Sequence, residues 1–127
     1  MLDLIIKNGK CYIDGQLKNQ DIGIKDGLIQ NIGEISDEAK EILNAEGQTV
    51  LPGCIDTQTH FREPGSTDTE DLHSGSRAAI AGGITGVFEM PNTNPPTSTK
   101  LEFQKKLDLA KNRMYCNYAF YFGATAD

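Results

Sequence analysis

Thr49-Val50-Leu51-Pro52-Gly53-Cys54-Ile55 runs straight into Asp56-Thr57-Gln58-Thr59-His60-Phe61-Arg62-Glu63-Pro64-Gly65, and the reading of this stretch decides the fold. The first seven residues are a continuous apolar run of strand length, and the next ten gather an acid, a histidine and an arginine. Successive side chains of a strand point to opposite faces, so strict alternation places Asp56, Gln58 and His60 on one face. Three polar side chains converging at the end of a buried strand are costly unless they bind something. The pattern is that of a metal site at a strand's end, except that its middle position carries an amide where a second imidazole would be expected.

Downstream of this stretch the rhythm is strand, helix, strand, helix, strand. Thr67-x-x-Glu70 reads as a capping box opening a helix through Ala81, and Gly82-Gly83 closes it. Gly86 to Met90 is a short strand stopped by Pro91, and Thr99-x-x-Glu102 opens a second helix. In that helix Phe103, Leu107, Ala110 and Met114 form one apolar stripe at i, i+4, i+7 and i+11. The aromatic run Asn117 to Phe122 suits a third strand. Strands alternating with helices predict right-handed crossovers and a parallel sheet, whose ligands bind beyond the carboxyl ends of its strands. His60 and Arg62 fall just past the first strand, Asn92 and Asn94 just past the second, and Asp127 just past the third.

Upstream the text changes to short β-branched runs: Leu2 to Ile6, Tyr12-Ile13, Ile22 to Ile24 and Leu28 to Ile32. Asn8-Gly9, Asp14-Gly15 and Asp26-Gly27 separate them, and such pairs supply the positive φ of two-residue hairpins. This predicts a small antiparallel β unit over residues 1–50, ahead of a β/α part over 51–127. Asp37 to Leu43 reads as an added helical turn.

The bulk composition excludes several classes. Of 127 residues, 38% are apolar and 24% charged, the balance of a soluble globular chain rather than a disordered one. A net charge of −6 argues against a nucleic-acid partner, which requires a positive field. No window reaches the apolar length of a membrane span. Cys11, Cys54 and Cys116 are odd in number and widely spaced, which fits a reducing cytoplasm and three buried small hydrophobes better than disulfides.

PGCIDTQTHFREPG, followed by SGSRAAIAGG and then MPNTNPPT, closely resembles the cyclic amidohydrolases, and within them dihydroorotase. The family pattern is PGxIDxHxHFREPG, a helix with SGxxAAxxGG, and MPNTNP; FREPG with MPNTNP favours dihydroorotase over the hydantoinase and allantoinase relatives. The resemblance implies an eight-stranded TIM-type (β/α) barrel, which needs roughly 250 residues. Residues 51–127 supply only its first three strands and two helices, so the chain is expected to be an incomplete barrel behind an N-terminal β unit. The alternative is a small three-stranded α/β domain.

The implied chemistry is reversible closure of N-carbamoyl-L-aspartate to dihydroorotate, a step of pyrimidine biosynthesis, with two zinc ions sharing a hydroxide. His60 matches the second metal-binding histidine, against the plainer reading of a strand-end histidine. Asp56 matches the acid that orients the metal shell, against a loop-capping acid. Arg62 matches the arginine that grips the substrate carboxylate, and Asn92 an asparagine that helps it, against a turn residue after Pro91. Pro64 and Gly65 shape the loop, while His73 matches no ligand. Gln58 stands where the first ligand histidine should be, a degenerate ligand position offering only a neutral amide oxygen.

The remaining ligands and the general base are expected beyond residue 127. An isolated chain is therefore expected to bind zinc poorly and to be inactive alone. A split dihydroorotase would supply the remainder from a second chain. Otherwise the protein would be a catalytically silent dihydroorotase-like scaffold subunit partnering aspartate transcarbamoylase, or a hydantoinase- or allantoinase-type relative.

Overall fold

Asp14 and Gly15, at φ 51° and 76°, and Asp26 and Gly27, at φ 52° and 75°, all lie in the left-handed region that a two-residue hairpin demands. They connect three antiparallel strands, β1 (Leu2–Ile13), β2 (Gln16–Lys25) and β3 (Leu28–Gly33). These strands belong to a computed structural model of the chain, which describes residues 1–126. The third expected hairpin, at Asn8-Gly9, does not form. β1 passes straight through it, and its register to β2 slips by one residue between Ile6 and Gly9. Asn8, at φ 62°, is thus part of a β-bulge, which also uses a left-handed residue.

The helical turn expected over Asp37 to Leu43 is instead a strand, β4 (Ala39–Asn44). It lies parallel to β1, with Leu2 against Ala39 and Ile6 against Leu43. A ladder with a strand far away in sequence satisfies its backbone groups, and tertiary pairing overrides a weak local propensity. The N-terminal unit is therefore mixed rather than purely antiparallel: order β3-β2-β1-β4, with β5 (Thr49–Val50) also parallel to β1. Its core is Leu2, Ile5 and Ile35. Asp21 pins its loops, accepting from the Asn8 N–H at 3.1 Å and the Ile35 N–H at 3.2 Å, with Lys7 Nζ at 3.4 Å.

The run Thr49 to Ile55 is not one strand. β5 ends at Val50, and a new strand, β6 (Cys54–Thr59), begins after Leu51-Pro52-Gly53. Proline has no N–H to give to a ladder, so the break falls where pairing cannot continue. The chain divides into two compact units at Pro52/Gly53.

The second unit is a parallel sheet of order β6-β7-β8, built from β6, β7 (Ile84–Glu89) and β8 (Asn117–Phe120), with α1 (Leu72–Ala81) and α2 (Lys100–Ala110) in the two crossovers. Phe61, Leu72, Val87, Ala110 and Cys116 form its buried core. Helix α1 starts later than the sequence suggests. Asp71, not Thr67, is the N-cap: its carboxylate accepts from the Ser74 N–H at 2.6 Å, and Ser74 answers its backbone. The decisive help comes from Glu63, whose Oε2 accepts from the Leu72 N–H at 2.9 Å, a distant group that covers a second orphan donor of the first turn.

Thr99 caps α2 as expected, accepting from the Glu102 N–H at 3.1 Å. On the buried stripe of α2, however, Ala110 is accompanied by Lys106, and both are fully buried. Of the three cysteines, all free, Cys11 and Cys116 are buried but Cys54 is exposed.

Candidate functional site

The carboxyl edge of the sheet is shaped by two loops, residues 60–71 after β6 and 90–99 after β7. Thr59 and Phe61 clamp the first loop at its start. Thr59 Oγ1 donates to the Phe88 carbonyl at 3.3 Å, and the Thr59 carbonyl accepts from the Met90 N–H at 2.9 Å. Phe61 is buried against Gly75 of α1, so close that a Cβ there would stand 2.4 Å from the ring. His60 is held between these two anchored residues.

The second loop folds back on the first. The Asn94 N–H donates to the Pro64 carbonyl at 2.9 Å. Gly65, at φ 125°, lies so near Asn94 that an added Cβ would meet its side chain at 2.9 Å, so glycine is required there on both counts. The contact brings Asn92 to His60: Asn92 Oδ1 lies 2.9 Å from His60 Nδ1. A carbonyl oxygen can only accept, so this bond needs the proton on Nδ1, and in the neutral ring Nε2 then keeps its lone pair. An imidazole with one nitrogen fixed by an acceptor and the other free is the form in which histidine binds a metal.

Asp56 is not brought into this arrangement. β6 gains a residue on β7 between Asp56, level with Val87, and Thr59, level with Glu89. One extra residue interrupts the alternation, so strict periodicity does not carry from Asp56 through to His60. Its Oδ1 instead accepts from the Gln58 backbone N–H at 2.9 Å. The Gln58 side chain is exposed. Arg62 is exposed too, at φ 63°, a strained conformation for a non-glycine residue, and carries no ion pair among the described residues. Asp127 lies outside the described residues. His73 is exposed and packs edge-on to Tyr115, with ring centroids 5.1 Å apart.

Two ion pairs, one half-buried and one fully buried, support the loops, and sequence reading found neither. Glu63 receives a two-pronged bond from Arg113, Nη1 to Oε1 at 2.8 Å and Nη2 to Oε2 at 3.1 Å, which raises the guanidinium's pKa further. Glu89 pairs with Lys106, whose Nζ also donates to the Met90 carbonyl at 3.1 Å. Burial pushes the Glu89 carboxyl above its ordinary value, against the opposing pull of Lys106, the Phe61 N–H and His60. One signal was available: Lys106 falls at i+3 from Phe103 and i−4 from Ala110, inside an apolar stripe where a lysine is rarely left unpaired.

As a metal site the arrangement is partial. His60 Nε2 is a fitting donor, but no three His, Cys, Asp or Glu side chains among the described residues converge closely enough to hold an ion.

An amidohydrolase family profile matches residues 49–126. The dihydroorotase of Carboxydothermus hydrogenoformans is 47% identical over 98 residues, covering 75% of this chain and 23% of that protein. The dihydroorotase of Methanosarcina acetivorans is 39% identical across 100% of this chain and 28% of its own length. An allantoinase of Escherichia coli is 42% identical over 113 residues, covering 88% and 25%. Among solved structures, the L-hydantoinase (dihydropyrimidinase) of Arthrobacter aurescens matches with a TM-score of 0.87 at 33% identity, covering 99% of this chain and 29% of that one. The chain thus spans about a quarter of the length of the curated relatives it matches.

Proposed function

The chain belongs to the amidohydrolase family, and from that premise we propose that its second unit carries part of a metal-dependent cyclic amidohydrolase site of the dihydroorotase type. The reaction is the reversible closure of N-carbamoyl-L-aspartate to dihydroorotate. The observation that carries this reading is the His60–Asn92 hydrogen bond at 2.9 Å, made between the HFREPG and MPNTNP loops at the carboxyl edge of the sheet. The identities to two dihydroorotases support it.

The family is generally metal-dependent, and zinc is the ion proposed here. When bound, zinc polarises an amide carbonyl and lowers the pKa of a water molecule. The chain's own residues prepare for this. Asn92 fixes the His60 tautomer, and His60 presents Nε2 as a ligand. Arg62, projected from a strained backbone between the buried Phe61 and Glu63, offers a planar fork suited to the carboxylate that substrate and product share. Gln58 supplies no imidazole, so this chain by itself is proposed to hold zinc weakly and to be inactive alone. The remaining ligands and the general base would come from sequence corresponding to the rest of the relatives' length, in the same polypeptide or from a second chain of a split enzyme.

Two further readings have specific support. Gln58 favours a silent scaffold subunit, for which aspartate transcarbamoylase is the partner proposed. The 42% identity to an allantoinase favours a relative acting on another cyclic ureide. A cytoplasmic location is proposed, which three free cysteines favour; no helix among the described residues is long and apolar enough to cross a membrane.

The test is zinc titration of the 127-residue protein and its Gln58→His variant, followed by NMR with dihydroorotate, allantoin and hydantoin. The variant is expected to bind zinc at least tenfold more tightly, as replacing an amide with an imidazole ligand should. Dihydroorotate alone should shift the Arg62 signals. Equal zinc affinities would refute the site, a response to allantoin alone would favour the second relative, and chelator-sensitive turnover by the unaltered chain would refute inactivity.

A further inference from the structure

Lys106 and Glu89 are both essentially inaccessible to water, at 0% and 1% exposure. A buried ion pair contributes little net stability, since well-packed apolar residues of the same volume serve as well or better. The reach of the two groups suggests another role. Lys106 Nζ lies over the Phe120 ring, 5.1 Å from its centroid, and donates to the carbonyl of Met90, two residues before Asn92. Glu89 holds the Lys106 ammonium, Met90 in turn donates its N–H to the carbonyl of Thr59, the residue immediately before His60, at 2.9 Å, and the Glu89 carbonyl accepts from the Tyr121 N–H at 3.0 Å. Through Met90 the pair thereby holds the backbone beside both partners of the His60–Asn92 hydrogen bond.

We propose that Glu89 and Lys106 are positioning residues that hold His60 and Asn92 in register and so keep His60 in the tautomer whose Nε2 is free. This deepens the reading of His60 as a metal ligand and rests on it. A hydrogen bond at 2.9 Å tolerates only a few tenths of an ångström of drift before it weakens. Met90 and Thr59 are the points at which such drift would enter.

The experiment is 15N NMR of the His60 ring in the metal-free 127-residue protein, above the imidazole's titration range, where the nitrogen shifts report the tautomer directly. The unaltered protein should show the Nδ1–H form. Asn92→Ala gives the ratio for an unrestrained His60. Lys106→Met should lower the tautomer ratio about fivefold or more towards that value, the ratio an ordinary hydrogen bond sustains. Lys106→Arg, which keeps the charge, should restore part of it.

Because Lys106→Met leaves a buried carboxylate unpaired and can unfold the unit, the neutral Glu89→Gln/Lys106→Met protein is measured as well. A folded double variant with the unaltered ratio overturns the proposal. So does loss of fold in both proteins, which would assign the pair to stability alone. If Asn92→Ala itself leaves the ratio unchanged, the His60–Asn92 reading fails instead. Zinc affinity enters neither outcome.

Discussion

Replacing Arg113 with alanine tests whether the loop that carries Arg62 is held by charge. The guanidinium spans Glu63 with two bonds, at 2.8 and 3.1 Å, gives a third to the Leu109 carbonyl at 3.0 Å, and stands 3.8 Å from Asp71. Without it, the Glu63 carboxylate, 7% exposed, keeps only the Leu72 N–H among the described residues. Stranding one partner of a fully buried pair costs about 3–5 kcal/mol. Arg113 is 35% exposed, however, so water screens part of the attraction. A pair wholly at the surface contributes ~1 kcal/mol or less. The intermediate burial places the expected loss at about 2 kcal/mol, a large share of the ~5–15 kcal/mol that stabilises a typical domain.

Urea unfolding gives the loss as a fall in midpoint at constant slope. A cycle with Glu63→Gln isolates the pair, with an expected coupling of about 1–2 kcal/mol. Hydrogen exchange locates the effect: the Leu72 amide, bonded to Glu63, should lose protection more than the α2 amides do. A change under about 0.5 kcal/mol, the range of ordinary surface substitutions, would refute the argument, as would unchanged exchange at Leu72.

Gly75→Ala should lower the unfolding midpoint by the equivalent of about 1–2 kcal/mol, overpacking against Phe61 outweighing the better helix propensity of alanine; an unchanged midpoint would show that the ring can move. The pH dependence of stability should carry a contribution from Asp21. Burial raises its carboxyl, but the Asn8 and Ile35 N–H groups and Lys7 outweigh this and hold it below its ordinary value. The unfolded chain therefore binds that proton more readily, so the contribution is full above about pH 4–5 and is lost as pH falls through the lowered folded value. Urea midpoints across that range should slope less steeply in Asp21→Asn, and an identical slope would refute the assignment.

The β/α order of the second unit was legible because its signals are local: apolar runs, the Thr99 cap and Gly82-Gly83. Where expectation failed, a distant group decided the outcome. Thr67-x-x-Glu70 and Asp71-x-x-Ser74 are both plausible openings for α1. Glu63, reaching Leu72 from the preceding loop and fixed there by Arg113, selects the second. β4 looked helical because nothing near it announces its parallel partner β1. His60 and Asn92 could each be named from their motifs, but their coupling depends on the close contact of Gly65 with Asn94 between two loops. The interrupted alternation between Asp56 and Thr59 was hidden for a related reason, since an extra residue in a parallel ladder leaves no mark on the sequence of residue types.

Gln58 now has a narrower meaning. Among the described residues nothing that shapes the site depends on its side chain: Asn92 is bonded to His60 Nδ1, Glu63, Gly65 and Asn94 set the loops, and Gln58 meets Asp56 through its backbone N–H. The missing imidazole therefore removes a ligand without removing the geometry that would present it. Affinity for metal and preorganisation of His60 become separable quantities in this chain. Gln58→His should change zinc affinity and leave the metal-free His60 tautomer untouched, whereas Asn92→Ala should change the tautomer first and affinity as its consequence. Were Gln58→His to shift the tautomer as well, the two would be one network, and the amide at position 58 would be part of the site's present structure rather than a gap in it.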